Sequence, residues 1–182
     1  MPPALAVYGV LAVLLHDSVA VLPSLTLTSG SRMQLAMFVP VVILVALGHC
    51  LDGRLPAPEA SGVRPVLRLD ALLVVTVILA AAMVGMGIGT VLESDAALVL
   101  GRNTAFLTGI LLCGRAVFGT VAVLLPVLWI ASVMLFGFRT WTDPHFWAVL
   151  PEPPGEPHAM ILAVTALLCG LLVHLFRIRR AL

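Results

Sequence analysis

Charge is what this 182-residue chain has least of. Only 10% of its residues are Asp, Glu, Lys or Arg, where a soluble domain carries about 25%. Lysine is absent, so all ten basic residues are arginines. That usage, beside abundant Ala, Val, Leu, Gly and Pro, points by codon bias to a GC-rich bacterial source. The formal net charge is +1, which implies no polyanionic partner and argues against nucleic acid. Cysteine is scarce as well. Cys50, Cys113 and Cys169 lie near the ends of apolar runs, with no CxxC or other paired spacing. They read as small hydrophobes, not as metal ligands or a disulfide frame. The sequence contains neither GxxxxGK[ST] nor HExxH, the spacings that would announce a phosphate cradle or a zinc site. Before the first apolar run there is no basic stretch, which argues against a cleaved signal peptide.

Apolar residues fill the space left by these absences. Hydrophobic residues make up 61% of the chain and the mean hydropathy is +1.15. A membrane-crossing helix needs about 20 such residues. Six segments qualify: residues 4–22, 33–51, 71–92, 96–114, 116–138 and 159–176. The expected fold is therefore all-α, a polytopic bundle of six transmembrane helices in one transmembrane domain spanning 1–182. The first segment is interrupted by His16 and Asp17, the fourth carries Arg102 and Asn103, and the fifth has Pro126 in its middle.

Arginine placement predicts orientation. Six crossings put Arg54, Arg64, Arg68, Arg115, Arg177, Arg179 and Arg180 on one side, with Arg115 in a tight turn between the fourth and fifth segments. Only Arg32 and Arg139 fall on the other. Both termini are then cytoplasmic, in a bacterial inner membrane. In the cytoplasmic connection DGRLPAPEASGVRPVLRLD, Pro65 suits a first helical turn, and Val63, Val66, Leu67 and Asp70 fall at roughly helical spacing. It reads as a short amphipathic helix under the membrane. The external connection RTWTDPHFWAVLPEPPGEPH is rich in proline and aromatics. Trp141, Phe146 and Trp147 suit an interfacial belt, and a short helix is expected near 145–150, ended by Pro151.

Few residues invite a chemical role. His16 and Asp17 are adjacent, and on a helix they point to different faces. Gly85, Gly87 and Gly89 spell part of a dinucleotide fingerprint, but at the end of an apolar span they fit close helix packing. The segment GRNT at 101–104 is different, because a cation in lipid costs roughly 2.5–3.5 kcal/mol on insertion scales. Arg102 could snorkel toward Glu93 and Asp95, the latter seven residues earlier and about two turns away. Alternatively Arg102, Asn103, Thr104 and Thr108 serve a translocation path or a helix contact. Gly101, Ala105 and Gly109 form a small-residue stripe beside them, suited to close packing.

Three stretches carry a resemblance: VRPVLRLDALLV at 63–74, GRNTAFLTGILLCGR at 101–115, and the proline-containing fifth span with FGFRTWTDPHFWAVLPEP. In this order the chain resembles a small actinobacterial permease of the type 2 ABC exporters. The resemblance implies a transport subunit with no catalytic residues and no cofactor of its own. ATP and magnesium would sit on a separate cytoplasmic ATPase docked on a coupling helix between the second and third spans. Arg54, Glu59, Arg64 and Arg68 are then its candidate contacts. A second permease chain, as homo- or heterodimer, would complete the path. The interfacial helix that usually precedes the first span in such permeases is missing or very short here. Two other readings remain open at this level: a structural or assembly subunit of a membrane complex, and a small ion-coupled transporter or intramembrane enzyme using Asp17 or Arg102.

Overall fold

The computed structural model describes residues 1–22, 31–53, 66–140 and 143–181. Helix dominates. In chain order the elements are α1 (Pro2–Leu15), β1 (Val19–Leu22), β2 (Ser31–Gln34), a 3-10 turn (Leu35–Phe38) and α2 (Val39–Asp52). Then come α3 (Val66–Val91), the short α4 (Asp95–Leu98), α5 (Leu100–Phe118), a 3-10 turn (Gly119–Val123), α6 (Leu124–Phe136) and α7 (Pro157–Ala181). Among the described residues, four helical stretches are long and apolar enough to cross a membrane: Leu35–Asp52, Leu69–Val91, Asp95–Phe136 and Pro157–Phe176. A membrane-embedded helical bundle is thus the class.

The 42 residues of the third stretch are not one rod, which would be about 63 Å long at 1.5 Å per residue. Gly119 takes φ +63°, a value glycine tolerates best, and the chain reverses there. Phe106 and Trp129, on either side of the reversal, meet edge to face with ring centroids 5.6 Å apart. Farther along the same hairpin, Gly114 sits against Ala122 and Leu125. The break therefore falls at Gly119. Arg115, expected in the turn, lies instead in the last turn of α5.

Contacts between helices fix their relative directions. Gly101 abuts Ala82, while Gly85 meets Ala97 and Leu100 and Gly89 meets Leu98, so α3 and α5 are antiparallel. Gly109 abuts Ala166, and Gly170 meets Gly109 and Leu112, so α5 and α7 are parallel. Tyr8 reaches Ala81 and the backbone of His16 reaches Ser94, so α1 runs with α3. At one end of the bundle Asp52 pairs with Arg115 at 2.6 Å and Asp70 lies 4.0 Å from His174. The opposite end holds the β-ribbon, Ser94, the start of α5 and the 137–156 segment.

Several expectations are corrected. Residues 4–22 do not form one span: α1 stops at Leu15, about 21 Å long for its 14 residues. His16 turns its Nδ1 back to the Val13 carbonyl at 2.7 Å, and Ser18 begins a different structure. Val19–Leu22 pairs antiparallel with Ser31–Gln34, Val19 opposite Gln34 and Leu22 opposite Ser31. This ribbon was not expected of an all-α chain; its alternating β-branched Val19 and Val21 favour a strand. Val66–Asp70 is the first turn of α3, continuous with it, rather than a separate helix. Arg68 stands in that turn, whereas Arg54, Glu59 and Arg64 lie outside the described residues. No helix forms near 145–150. Between Pro144 and Pro151 the chain makes a single turn, with the Ala148 N–H on the His145 carbonyl. Proline removes the donor that a longer helix would need. Trp147 does not lie free at an interface but packs on the core, edge to face with Trp129 at 6.0 Å. Phe146 is exposed, and Trp141 is outside the described residues.

Two clusters make the core, one around Leu47, Leu107, Leu111 and Leu112 and one around Tyr8, Ile43, Ala81 and Leu100. The outward faces are also apolar. Leu72, Leu79, Met83 and Met86 on α3, with Ile161, Leu168 and Phe176 on α7, are all exposed. Faces of this kind suit lipid or another apolar chain, not water.

Candidate functional site

The polar run of α5 is placed at the end of the bundle that carries the 137–156 segment, and its four side chains do different things. The Arg102 guanidinium is directed at backbone carbonyls of the following connection. Nη2 donates to Val149 O at 2.9 Å and Glu152 O at 2.6 Å, and Nη1 donates to Pro153 O at 3.0 Å. Its Nε meets Asn103 Oδ1 at 3.4 Å. Asn103 donates from Nδ2 to Leu150 O at 3.0 Å. Two adjacent side chains thus hold four carbonyls of a five-residue stretch, 149–153.

The chemistry of that stretch explains the need. Pro151, Pro153 and Pro154 cannot donate and break any regular ladder, so its carbonyls need side-chain donors or water. Hydrogen bonds to a charged group contribute about 1.5–3 kcal/mol each. Three of them more than offset the cost of an arginine in the first turn of an apolar helix, which is below the roughly 2.5–3.5 kcal/mol that insertion scales give for a helix centre. Arg102 therefore takes its place among loop carbonyls, rather than snorkelling to Glu93 and Asp95.

Thr104 and Thr108 face inward and are fully buried. Each returns its hydroxyl to the carbonyl one turn back, Leu100 O and Thr104 O, both at 2.7 Å. The Tyr8 hydroxyl donates to Ala81 O at 3.3 Å and stands 3.5 Å from Thr104 Oγ1. This joins α1, α3 and α5 at one level. Tyr8 carried no signal in the sequence beyond being the lone tyrosine.

A buried carboxylate, unremarked in the sequence, completes this end. Glu152 is 8% exposed. Its Oε1 is 3.3 Å from His158 Nε2, whose other nitrogen is 3.5 Å from Glu156. The signal available beforehand was the pattern PEPPGEPH, with two acids and a histidine among prolines. His145 stacks on Trp147 and accepts from Arg139 Nε at 3.0 Å.

The remaining sequence candidates are placed apart from this site. His16 Nε2 and Asp17 Oδ2 meet at 3.0 Å, because the helix ends there and frees both side chains, and Asp17 is 83% exposed. Ser94 donates to the His16 carbonyl at 3.3 Å. Of the glycine triplet, Gly85 and Gly89 seat neighbouring elements, while Gly87 has nothing within 4 Å. Among the described residues no three His, Cys, Asp or Glu side chains gather as metal ligands would. The arrangement around Arg102 is one of anchoring and shaping rather than of bond-making. No family model, curated protein or solved structure matches this chain.

Proposed function

We propose that the chain is the membrane-embedded, non-hydrolytic subunit of an ATP-driven exporter in a bacterial inner membrane. It would cross six times, with both termini cytoplasmic. The observation that supports this reading most is the gathering of elements at one end of the bundle. The end of α2, the start of α3, the end of α5 and the late part of α7 meet there through Asp52–Arg115 and Asp70–His174. The sequence puts seven of its ten arginines at this end, and such a bias marks the cytoplasmic side. The connection between α2 and α3 starts and ends at this end, and in this reading its Arg54, Glu59, Arg64 and Arg68 offer charge to a cytoplasmic ATPase. ATP and magnesium belong to that partner. The exposed apolar faces of α3 and α7 supply surface for a second permease chain. In this reading Arg102 is a positioning residue, which sets the external connection and leaves the reacting phosphate to the partner.

The test is affinity purification of the tagged full chain from its native membrane, followed by identification of its partners. An ATPase with a phosphate-binding loop should co-purify, and Arg64→Glu with Arg68→Glu should weaken its retention several-fold. Full retention by the double variant would contradict docking at this connection.

One observation favours a second reading, a structural or assembly subunit of a membrane complex. Arg102, Asn103, Thr104 and Thr108 are all engaged within the chain. Such a subunit would bind its partners equally well with and without ATP.

A further inference from the structure

At the end of the bundle away from Arg115, β1 and β2 make a sheet of two strands. The ladder runs from Val19 opposite Gln34 to Leu22 opposite Ser31, and the Leu35 N–H extends it to the Ser18 carbonyl at 2.9 Å. Side chains alternate between the two faces of such a ribbon. Ala20 and its partner Met33 share one face, and Met33 is buried in the core. Val19, Val21 and Gln34 share the other. The two valines are 56% and 64% exposed, and Gln34 is exposed with them. One face therefore moors the ribbon to the helices, and the other looks outward.

We propose that this outer face is a membrane-surface anchor, whose partner is the headgroup and glycerol layer of a phospholipid bilayer. Only that layer meets two requirements at once. The first comes from the backbone. Each strand of the ribbon has an open edge of N–H and C=O groups, and among the described residues no further backbone group bonds to either edge. In hydrocarbon each such group costs several kcal/mol, so the ribbon does not lie at acyl-chain depth. The second comes from Val19 and Val21, which gain by leaving water. Bulk water satisfies the edges and not the valines, and acyl chains satisfy the valines and not the edges. Between them, water and ester and phosphate oxygens bond the backbone while the valines reach the upper acyl carbons. The occupant is lipid rather than a second copy of the chain for two reasons. The surface follows directly along the chain from Val10, Val13 and Leu14, the exposed apolar residues of α1. Two valines and a glutamine also fall far short of the roughly 800 Å² per partner that a stable protein contact buries. The hydrocarbon boundary then passes between Leu15 and Val19, and the ribbon fixes the depth at which α1 ends. The inference rests on the membrane-embedded helical class and needs no ATPase.

The probe is a nitrobenzoxadiazole fluorophore on a single cysteine of the full chain, with Cys50, Cys113 and Cys169 replaced by alanine. Val19→Cys and Val21→Cys are the test positions. Leu79→Cys, at an exposed position in the middle of α3, is the hydrocarbon reference. Each is reconstituted in phosphatidylcholine vesicles whose lipids carry a nitroxide either beside the glycerol or near the end of the acyl chain. An element held at the headgroup–acyl boundary should be quenched about twofold or more strongly by the shallow nitroxide than by the deep one. That is the result expected at both valine positions, with the reverse order at Leu79→Cys. Stronger quenching by the deep nitroxide at the valine positions would overturn the proposal by placing the ribbon in hydrocarbon. No quenching by either nitroxide would overturn it as well. Aqueous iodide then tells the two causes apart: ready quenching means that the face stands in water, and none means that protein covers it. Both valines are exposed, so neither cysteine disturbs the core, and if one variant fails to fold the other decides alone.

Discussion

Arg102 is the residue on which the end of the bundle carrying the 137–156 segment depends. Its guanidinium satisfies three carbonyls that prolines leave without ladder partners. Arg102→Ala removes them all at once, and the carbonyls lose charged donors that are fixed in place by the helix. We expect a loss of about 2–4 kcal/mol, in the range of lost charged hydrogen bonds. It would be read as a fall in thermal midpoint of the detergent-solubilised chain. Arg102→Lys should recover only part of it, because a point charge cannot span the fork. An unchanged midpoint in Arg102→Ala would reduce the clamp to an incidental contact. The need for a partner was legible in the sequence, since an arginine amid AALVLGRNTAFLTGILLC calls for one. The partner was not. It lies about 50 residues on, and backbone carbonyls are spelled the same by every residue.

At the scale of elements, glycines decide which helices can touch. A Cβ at Gly109 would stand 2.4 Å from the backbone of Ala166, whereas one at Gly87 would meet nothing within 4 Å. Gly109→Ala should therefore destabilise by forcing α5 and α7 apart. Gly87→Ala should be neutral or stabilise by up to about 1 kcal/mol, through helix propensity. Thermal midpoints of the two single variants make the comparison; equal behaviour would contradict the packing described. The stripe of Gly101, Ala105 and Gly109 was readable as a contact surface from spacing alone. Which helix it meets was not, because spacing carries no information about the partner. The β-ribbon was missed for a related reason. A 20-residue hydropathy window averages a 14-residue helix and a four-residue strand into one apolar run, and Val19 and Val21 are as apolar as any helix residue. The break at Gly119 was misplaced by a few residues, because Arg115 is the more conspicuous polar punctuation while the left-handed backbone is glycine's.

For the molecule as a whole, composition was sufficient to say membrane and helical, and arginine placement was sufficient to propose an orientation. The structure adds direction: α3 against α5, α5 alongside α7, and two polar ends of different character. One end is held by ion pairs between helix termini, the other by an arginine on loop carbonyls beside a buried glutamate. The exporter reading and the orientation stand or fall with which end faces the cytoplasm. α1 is the element least able to cross as a helix, at about 21 Å against roughly 30 Å of hydrocarbon. A six-crossing chain then needs the β-ribbon or local thinning to complete the first passage.

Cysteine accessibility in intact cells tests this orientation most directly. With Cys50, Cys113 and Cys169 replaced by alanine, single cysteines are placed at Phe146, which is 69% exposed, and at Gly53, just past the end of α2. A membrane-impermeant maleimide should label Phe146→Cys in intact cells and Gly53→Cys only after permeabilisation. Labelling of Gly53→Cys from outside, or of both positions from the same side, would contradict the account.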